Sequence, residues 1–268
     1  MKRMTRIVAL ILIVVLGVTA CGNDSTRKSL YEEGQSDSDY IKKKGTLVVG
    51  ITEFAPLDYK EGDSWIGFDA DMAKAFAKEF GVKVQFVEID WNGKATALEN
   101  GAVDCVWNGM TLTEETKRDM SCSKPYLNNA QVIIVPKSKV EECKSEEDYM
   151  HFLFAVESGS AGENALNSRN YRYTPVKVQK DALEQVADGT ADAAVVDSIL
   201  AGAMVGEGTD YPDLTYTIPL NREEFGVGFR KDSDMTKHLN SFLERCQKDG
   251  TMKKTARQYS VQAALIGE

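Results

Sequence analysis

Thr46-Leu47-Val48-Val49-Gly50-Ile51 is an uninterrupted apolar run of strand length, and a run without polar alternation reads as a buried strand. Phe68-Asp69-Ala70-Asp71-Met72 then opens a helix in which Met72, Phe76 and Phe80 recur every four residues, with Gly81 as its stop. Val82 to Ile89 reads as the next strand, Lys94 to Asn100 as a short helix ended by Gly101, and Asp104 to Asn108 as a third strand. Strands alternating with helices at this spacing imply parallel βαβ units, so the fold class is α/β.

The pattern then restarts. Phe152-Leu153-Phe154-Ala155-Val156 is a strand, Ser158-Gly159-Ser160-Ala161-Gly162 a tight loop into a helix, Tyr173 to Val178 a strand, Asp181 to Ala187 a helix and Ala193 to Val196 a further strand. Leu98-Glu99-Asn100-Gly101-Ala102-Val103-Asp104-Cys105-Val106 is echoed by Val186-Ala187-Asp188-Gly189-Thr190-Ala191-Asp192-Ala193-Ala194: in both, a helix ends at Gly and an Asp enters the following strand. Two similar α/β lobes are the expected plan. Periodicity alone does not assign Phe225 to Phe229, or the helical stretches Met235 to Lys248 and Met252 to Tyr259, to either lobe.

The N-terminus carries Lys2, Arg3 and Arg6, then an apolar run from Ile7 to Leu16, then Gly17-Val18-Thr19-Ala20 before Cys21. That is the three-part plan of a signal peptide, and its core falls short of the roughly twenty apolar residues of a spanning helix. Val18-Thr19-Ala20-Cys21 resembles the lipobox of bacterial lipoproteins, which implies cleavage after residue 20 and lipid on Cys21. Residues 21–44 are mostly Ser, Asp, Glu, Lys and Gly without an apolar period and read as a flexible tether. Removing residues 1–20 takes three cations and no anions, so the formal charge goes from −9 to −12. An acidic chain is a poor partner for nucleic acid, which is bound by clustered Lys and Arg. Cys105, Cys122, Cys143 and Cys246 match no metal-ligand spacing, so no metal is expected; they read as small buried apolar residues, with a bridge from Cys105 to Cys122 left open.

Several motifs occur in order: Leu47-Val48-Val49-Gly50, Phe54-Ala55-Pro56-Leu57-Asp58-Tyr59, Gly67-Phe68-Asp69-Ala70-Asp71-Met72-Ala73, Asp90-Trp91, Leu98-x-x-Gly101-x-x-Asp104, Gly109-Met110-Thr111-Leu112-Thr113-x-Glu115 and Ser123-x-Pro125-Tyr126. Together they resemble the polar amino-acid solute-binding proteins of ABC importers, which include the glutamine- and histidine-binding proteins. The resemblance implies a two-lobed flytrap, each lobe a mostly parallel sheet flanked by helices, joined by two crossing hinge strands and closing on ligand. Lobe 1 would comprise 45–133 plus 221–268 and lobe 2 would comprise 134–220, with crossings at 130–136 and 218–224. It further implies a monomer outside the cytoplasm, without a cofactor, that hands an amino acid or related amine to permease subunits in the membrane.

Ligand would sit between the lobes, at the carboxyl ends of strands. By resemblance Trp91 and Phe54 are ring walls, suited to apolar and cationic groups alike. Asn108, Gly109 and Thr111 stand at the mouth of the third strand, while Thr113 reads as a helix cap. The loop of Glu157, Ser160 and Ala161 precedes a helix N-terminus, whose N–H groups suit a carboxylate. Asp197 and Glu53 are the acids for an ammonium group. One departure stands out. An arginine usually found two or three residues past the Thr-x-Thr aligns with Thr116; Lys117 and Arg118 follow, but a helix turns about 100° per residue, so neither faces the cleft automatically. Glu157 also stands where the glutamine binder has a lysine. Acids without a sure arginine imply a ligand more cationic than anionic. Two other roles fit the same fold: a module reporting solute to a membrane receptor, and a secreted dehydratase of cyclohexadienyl acids, which needs a general acid and cations for two carboxylates. The only histidines, His151 and His238, adjoin no nucleophile.

Overall fold

The computed structural model describes residues 35–267. The signal peptide and lipid-bearing Cys21 expected from the sequence, and most of the expected tether, lie outside them.

The first element corrects the sequence reading. Asp37–Lys44, assigned above to the tether, is a helix, α1. Ser36 caps it by accepting from the Asp39 N–H, and Gly45 ends it in the left-handed region. Its one fully buried hydrophobic residue is Ile41, with Tyr40 partly buried against the core, and hydrogen bonds from Ser38 to Asp234 and a set of ion pairs fix the rest. Arg230 Nη2 contacts Asp37 Oδ1 at 2.6 Å and Asp104 Oδ1 at 3.0 Å, and Lys44 Nζ reaches Asp104 Oδ2 at 2.6 Å.

Lobe 1 follows with β1 (Thr46–Ile51), the hairpin of β2 (Tyr59–Glu61) and β3 (Ser64–Ile66), α2 (Phe68–Phe80), β4 (Lys83–Glu88), α3 (Lys94–Glu99), β5 (Cys105–Thr111), α4 (Glu114–Asp119), β6 (Ser121–Cys122) and β7 (Leu127–Asn129). Helix α2 buries Phe68, Met72 and Phe76 on one face and stops at Gly81, whose φ of 82° suits glycine. Burying each of these side chains stabilises the lobe by about 1.5–3 kcal/mol. The chain crosses at Ala130 into lobe 2: β8 (Gln131–Pro136), β9 (Leu153–Glu157), α5 (Ala161–Ser168), β10 (Arg172–Val176), α6 (Gln179–Ala187), β11 (Ala193–Asp197), α7 (Ser198–Met204) and β12 (Leu214–Pro219). It returns through residues 220–222 into β13 (Glu223–Phe229), α8 (Met235–Lys248) and α9 (Thr251–Gln258).

The lobe 1 sheet runs β4-β1-β5-β13-β6, with β7 also on β13. β4, β1 and β5 are mutually parallel and β13 antiparallel to its neighbours. The lobe 2 sheet runs β10-β9-β11-β8-β12; its first three strands are parallel, and β8 and β12 antiparallel. Each lobe is therefore one βαβ layer extended by crossing strands. The pairing of Gln131 and Val132 with Asp197 and Val196 places residues 131–133 in lobe 2, where the resemblance had put them in lobe 1. The last segment joins lobe 1, since β13 pairs with β5 and α9 packs on α2. β13 also lies between β5 and β6, which holds Cys105 and Cys122 apart; all four cysteines from Cys105 onward are free thiols.

Candidate functional site

A cavity of about 210 Å³ lies between the lobes at the carboxyl ends of β1, β5, β9 and β11. That is smaller than the roughly 300–1,000 Å³ of pockets for drug-sized ligands, and it suits one small metabolite.

Lobe 1 supplies two rings. Asp90 caps the turn after β4 by accepting from the Asn92 N–H at 3.1 Å, which turns Trp91 inward to 7 % exposure. Phe54 meets Phe225 edge to face at 6.3 Å. At the end of β5, Gly109 has a φ of 54° and donates to Asp69 Oδ2 at 2.7 Å; a methyl there would press into the Phe54 ring and reach 2.9 Å from Leu57. Asn108 lines the cavity, yet its amide is engaged within lobe 1. Oδ1 accepts from Thr52 N and Oγ1, and Nδ2 donates to Thr52 O and to Asp58 Oδ2. Thr111 Oγ1 donates to Glu223 Oε2 at 3.0 Å, where it touches the return crossing.

Lobe 2 supplies the acids. Asp197 stands at the N-cap position of α7 but makes no side-chain cap there. Its carboxylate accepts from Asn129, from Gln179 and, at 2.6 Å, from Gln131. Asn129 and Gln131 also donate to Glu223, so the acid is tied into both crossings. Burial, then the nearby Glu223 charge, push Asp197 up to about 7 against the pull of those amides. Glu157, 3 % exposed, ends β9, and its Oε1 is buried with no hydrogen-bond partner. Burial and the Asp197 charge push it up to about 8, while Lys94 and Gln179 pull it down. Ser160 caps α5 by accepting from the Glu163 N–H, and Glu163 Oε2 accepts from Gly159 N at 2.7 Å. The chain's own carboxylate thus occupies one of the amides that the sequence offered to a ligand anion.

Of the ten candidates, nine line the cavity: Phe54, Trp91, Asn108, Gly109, Thr111, Glu157, Ser160, Ala161 and Asp197. Glu53 does not, and it is exposed. It lies between buried Thr52 and Phe54, and in extended chain successive side chains point to opposite sides. Thr113 caps α4 through the Thr116 N–H, and Thr116 Oγ1 turns back to the Thr111 and Thr113 carbonyls. Lys117 pairs with Glu114 and Arg118 with Asp119, with side chains 50 % and 69 % exposed, so neither enters the cavity. Among the lining residues outside the candidate set are Gln131, Gln179 and Lys94. Lys94 Nζ donates to Trp91 O at 3.1 Å and across the cleft to Gly159 O at 2.9 Å, and lies 4.8 Å from the Trp91 ring centre. Burial pulls its ammonium below the ordinary range, and Glu157 leads the acids that oppose this.

Residues 47–262 match the model of the bacterial extracellular solute-binding proteins, family 3. The chain is 29 % identical over 254 residues to the arginine-binding extracellular protein ArtP of Bacillus subtilis (strain 168), covering 92 % of this chain and 93 % of that one. A mutant of ArgBP from T. maritima superposes with a TM-score of 0.78 at 31 % identity, covering 83 % of this chain and 98 % of that chain. The ancestral amino acid-binding protein AncCDT-1, described as a precursor of cyclohexadienyl dehydratase, does so with 0.76 at 33 % identity, covering 84 % and 99 %. Two α/β lobes, two crossings and a ligand-sized cavity between them agree with that match: the chain belongs to the bacterial extracellular solute-binding proteins, family 3.

Proposed function

We propose that this solute-binding protein captures a basic amino acid or a related amine outside the cytoplasm and delivers it to the permease of an ABC importer, held at the membrane by lipid on Cys21. The carrying observation is the Glu157 oxygen that is buried without a partner in the cavity wall. A buried acceptor without a donor is costly, and an arriving ammonium or guanidinium removes that cost. The surroundings favour the same ligand charge: Glu115, Asp119, Glu157, Glu163 and Asp197 line the cavity with a single basic side chain, Lys94. ArtP is arginine-binding by its own description, and another structure of ArgBP from T. maritima is described as arginine-bound.

The same inventory supports a binder over an enzyme. Dehydration of a cyclohexadienyl dicarboxylate needs cations for two carboxylates, and Thr116 occupies the position where one would stand. Calorimetric titration of the purified protein with lysine, arginine, ornithine, glutamine and glutamate tests the reading. Arginine, lysine or ornithine should bind most tightly, and tight binding of glutamate alone would overturn it. Palmitate labelling of cells, lost in Cys21→Ala, tests the anchor; a protein released unlabelled into the medium would refute it.

A further inference from the structure

We propose that Lys94 takes over the ligand's carboxylate and thereby makes the cleft select an amino acid over the amine lacking that carboxylate. The inference rests on the function proposed above and adds to it the orientation of the ligand.

The relevant groups are the cations at the cavity wall and the donors there that are already engaged. An anion needs a cation or free N–H groups. The α4 cations are unavailable, because Lys117 and Arg118 are paired on the outer surface and Thr116 is folded back onto its own turn. The α5 turn offers less than its geometry suggests, since Gly159 N is held by Glu163 and Ser160 N by the Glu157 carbonyl at 3.3 Å. The asparagine and glutamine amides of the floor donate to Asp58, Asp197 and Glu223. Lys94 is then the sole basic side chain among the residues lining the cavity. An ammonium has three N–H donors, and two of them are engaged, with the Trp91 and Gly159 carbonyls. The third is available to an anion.

The same placement fixes the other end. With the Lys94 ammonium 4.8 Å from the Trp91 ring centre, a ligand cation would meet a like charge there. The acid pair of Glu157 and Asp197 is the better seat for it. A carboxylate at Lys94 and a cation at the acid pair define a ligand carrying both. Because the Lys94 bond to Gly159 O spans the cleft, the carboxylate is gripped only once the lobes have met.

Matched pairs test this: arginine with agmatine, lysine with cadaverine, histidine with histamine, and glutamate with 4-aminobutyrate, titrated into the wild-type protein, Lys94→Met and Lys94→Gln. Glutamine keeps a donor for the Gly159 carbonyl without the charge, and thermal melts of both variants verify folding. In the pair that binds, the wild type should favour the amino acid at least about tenfold. Both variants should bring that ratio within about threefold by weakening the amino acid alone. Loss of both members by the same factor would assign Lys94 to lobe closure only and overturn the inference, as would a wild-type ratio near one. Binding of the glutamate pair in place of the basic ones removes the cationic-ligand reading, and the ratio within that pair still decides the role of Lys94.

Discussion

Lowering the pH from 8 to 6 should weaken capture of arginine by about 50-fold. Glu157 closes β9, and the charged and titratable groups around it are Asp197 on β11, Lys94 on α3 and Asp181 on α6, with the Gln179 amide beside them. Burial first, and Asp197 next, push its carboxyl up to about 8. The empty cleft at neutral pH therefore holds a proton there, and a cation seated against the oxygen requires that proton to leave. Each pH unit below 8 costs about 1.36 kcal/mol, or tenfold in affinity; with half the protein already ionised at pH 8, the ratio between pH 6 and 8 comes to about 50. Asp197, pushed to about 7, steepens the lower half of the range. The sign for folding is opposite. A carboxyl raised in the folded state contributes stability that is fully present below its unfolded value, near 4.5, and is lost as pH rises through 8. The empty protein should thus melt at a lower temperature at pH 8.5 than at pH 6, and the arginine complex should shrink or reverse that difference. Calorimetry at pH 6, 7 and 8, in paired buffers of different ionisation enthalpy, reads both the affinity and the proton released. An affinity constant within threefold across the range, without proton release, would refute the reasoning. Glu157→Gln should abolish the slope between pH 7 and 8 and leave below pH 7 only the part due to Asp197.

Two further outcomes follow from packing. Gly159→Ala adds a methyl at a φ of 71° whose nearest neighbour, 2.5 Å away, is the Asn92 Cα across the cleft; affinity for arginine should fall at least about tenfold, equivalent to about 1.4 kcal/mol, with a smaller ligand-induced contraction in X-ray scattering, and unchanged affinity would show that these loops part without consequence. Arg230→Met takes from the buried Asp37 and Asp104 the cation they share, while Lys44 stays on Asp104; urea unfolding should show a loss of about 3 kcal/mol, and a loss under 1 kcal/mol would mean that α1 is not held by charge.

The lining of the cavity was largely readable because its residues sit where strand ends meet turns, and such places are marked by Gly, Thr, Asp and Trp in fixed order. Glu53 went astray because a motif gives the neighbourhood of a residue, not its side; the buried Thr52 and Phe54 on either side already assigned it outward. Lys94 was missed because a lysine opening a short helix is ordinarily solvated, and what draws it inward is the Gly159 carbonyl 65 residues away. Gln131 and Gln179 carry no motif, and only the convergence of β8 and α6 on Asp197 gives them a role. Helix α1 was hidden by its composition, since Asp37-Ser38-Asp39-Tyr40-Ile41-Lys42-Lys43-Lys44 has little to bury. Its signals were in the ends: Ser36 ahead of two acids, three lysines in the last turn, and Gly45. Its partner Arg230 lies 193 residues on, beyond any local pattern.

That weld between α1 and lobe 1 sets the mechanics of the whole molecule. Pull arriving through residue 35 enters the α1, Arg230 and Asp104 junction, and so reaches lobe 1 rather than the cleft. Residues 131–219 form a continuous insertion attached only by Ala130 and by residues 220–222. With the proposed anchor and lobe closure, lobe 1 would be the stator and lobe 2 the rotor, and tension on the N-terminal side would leave the swing of the jaw unloaded.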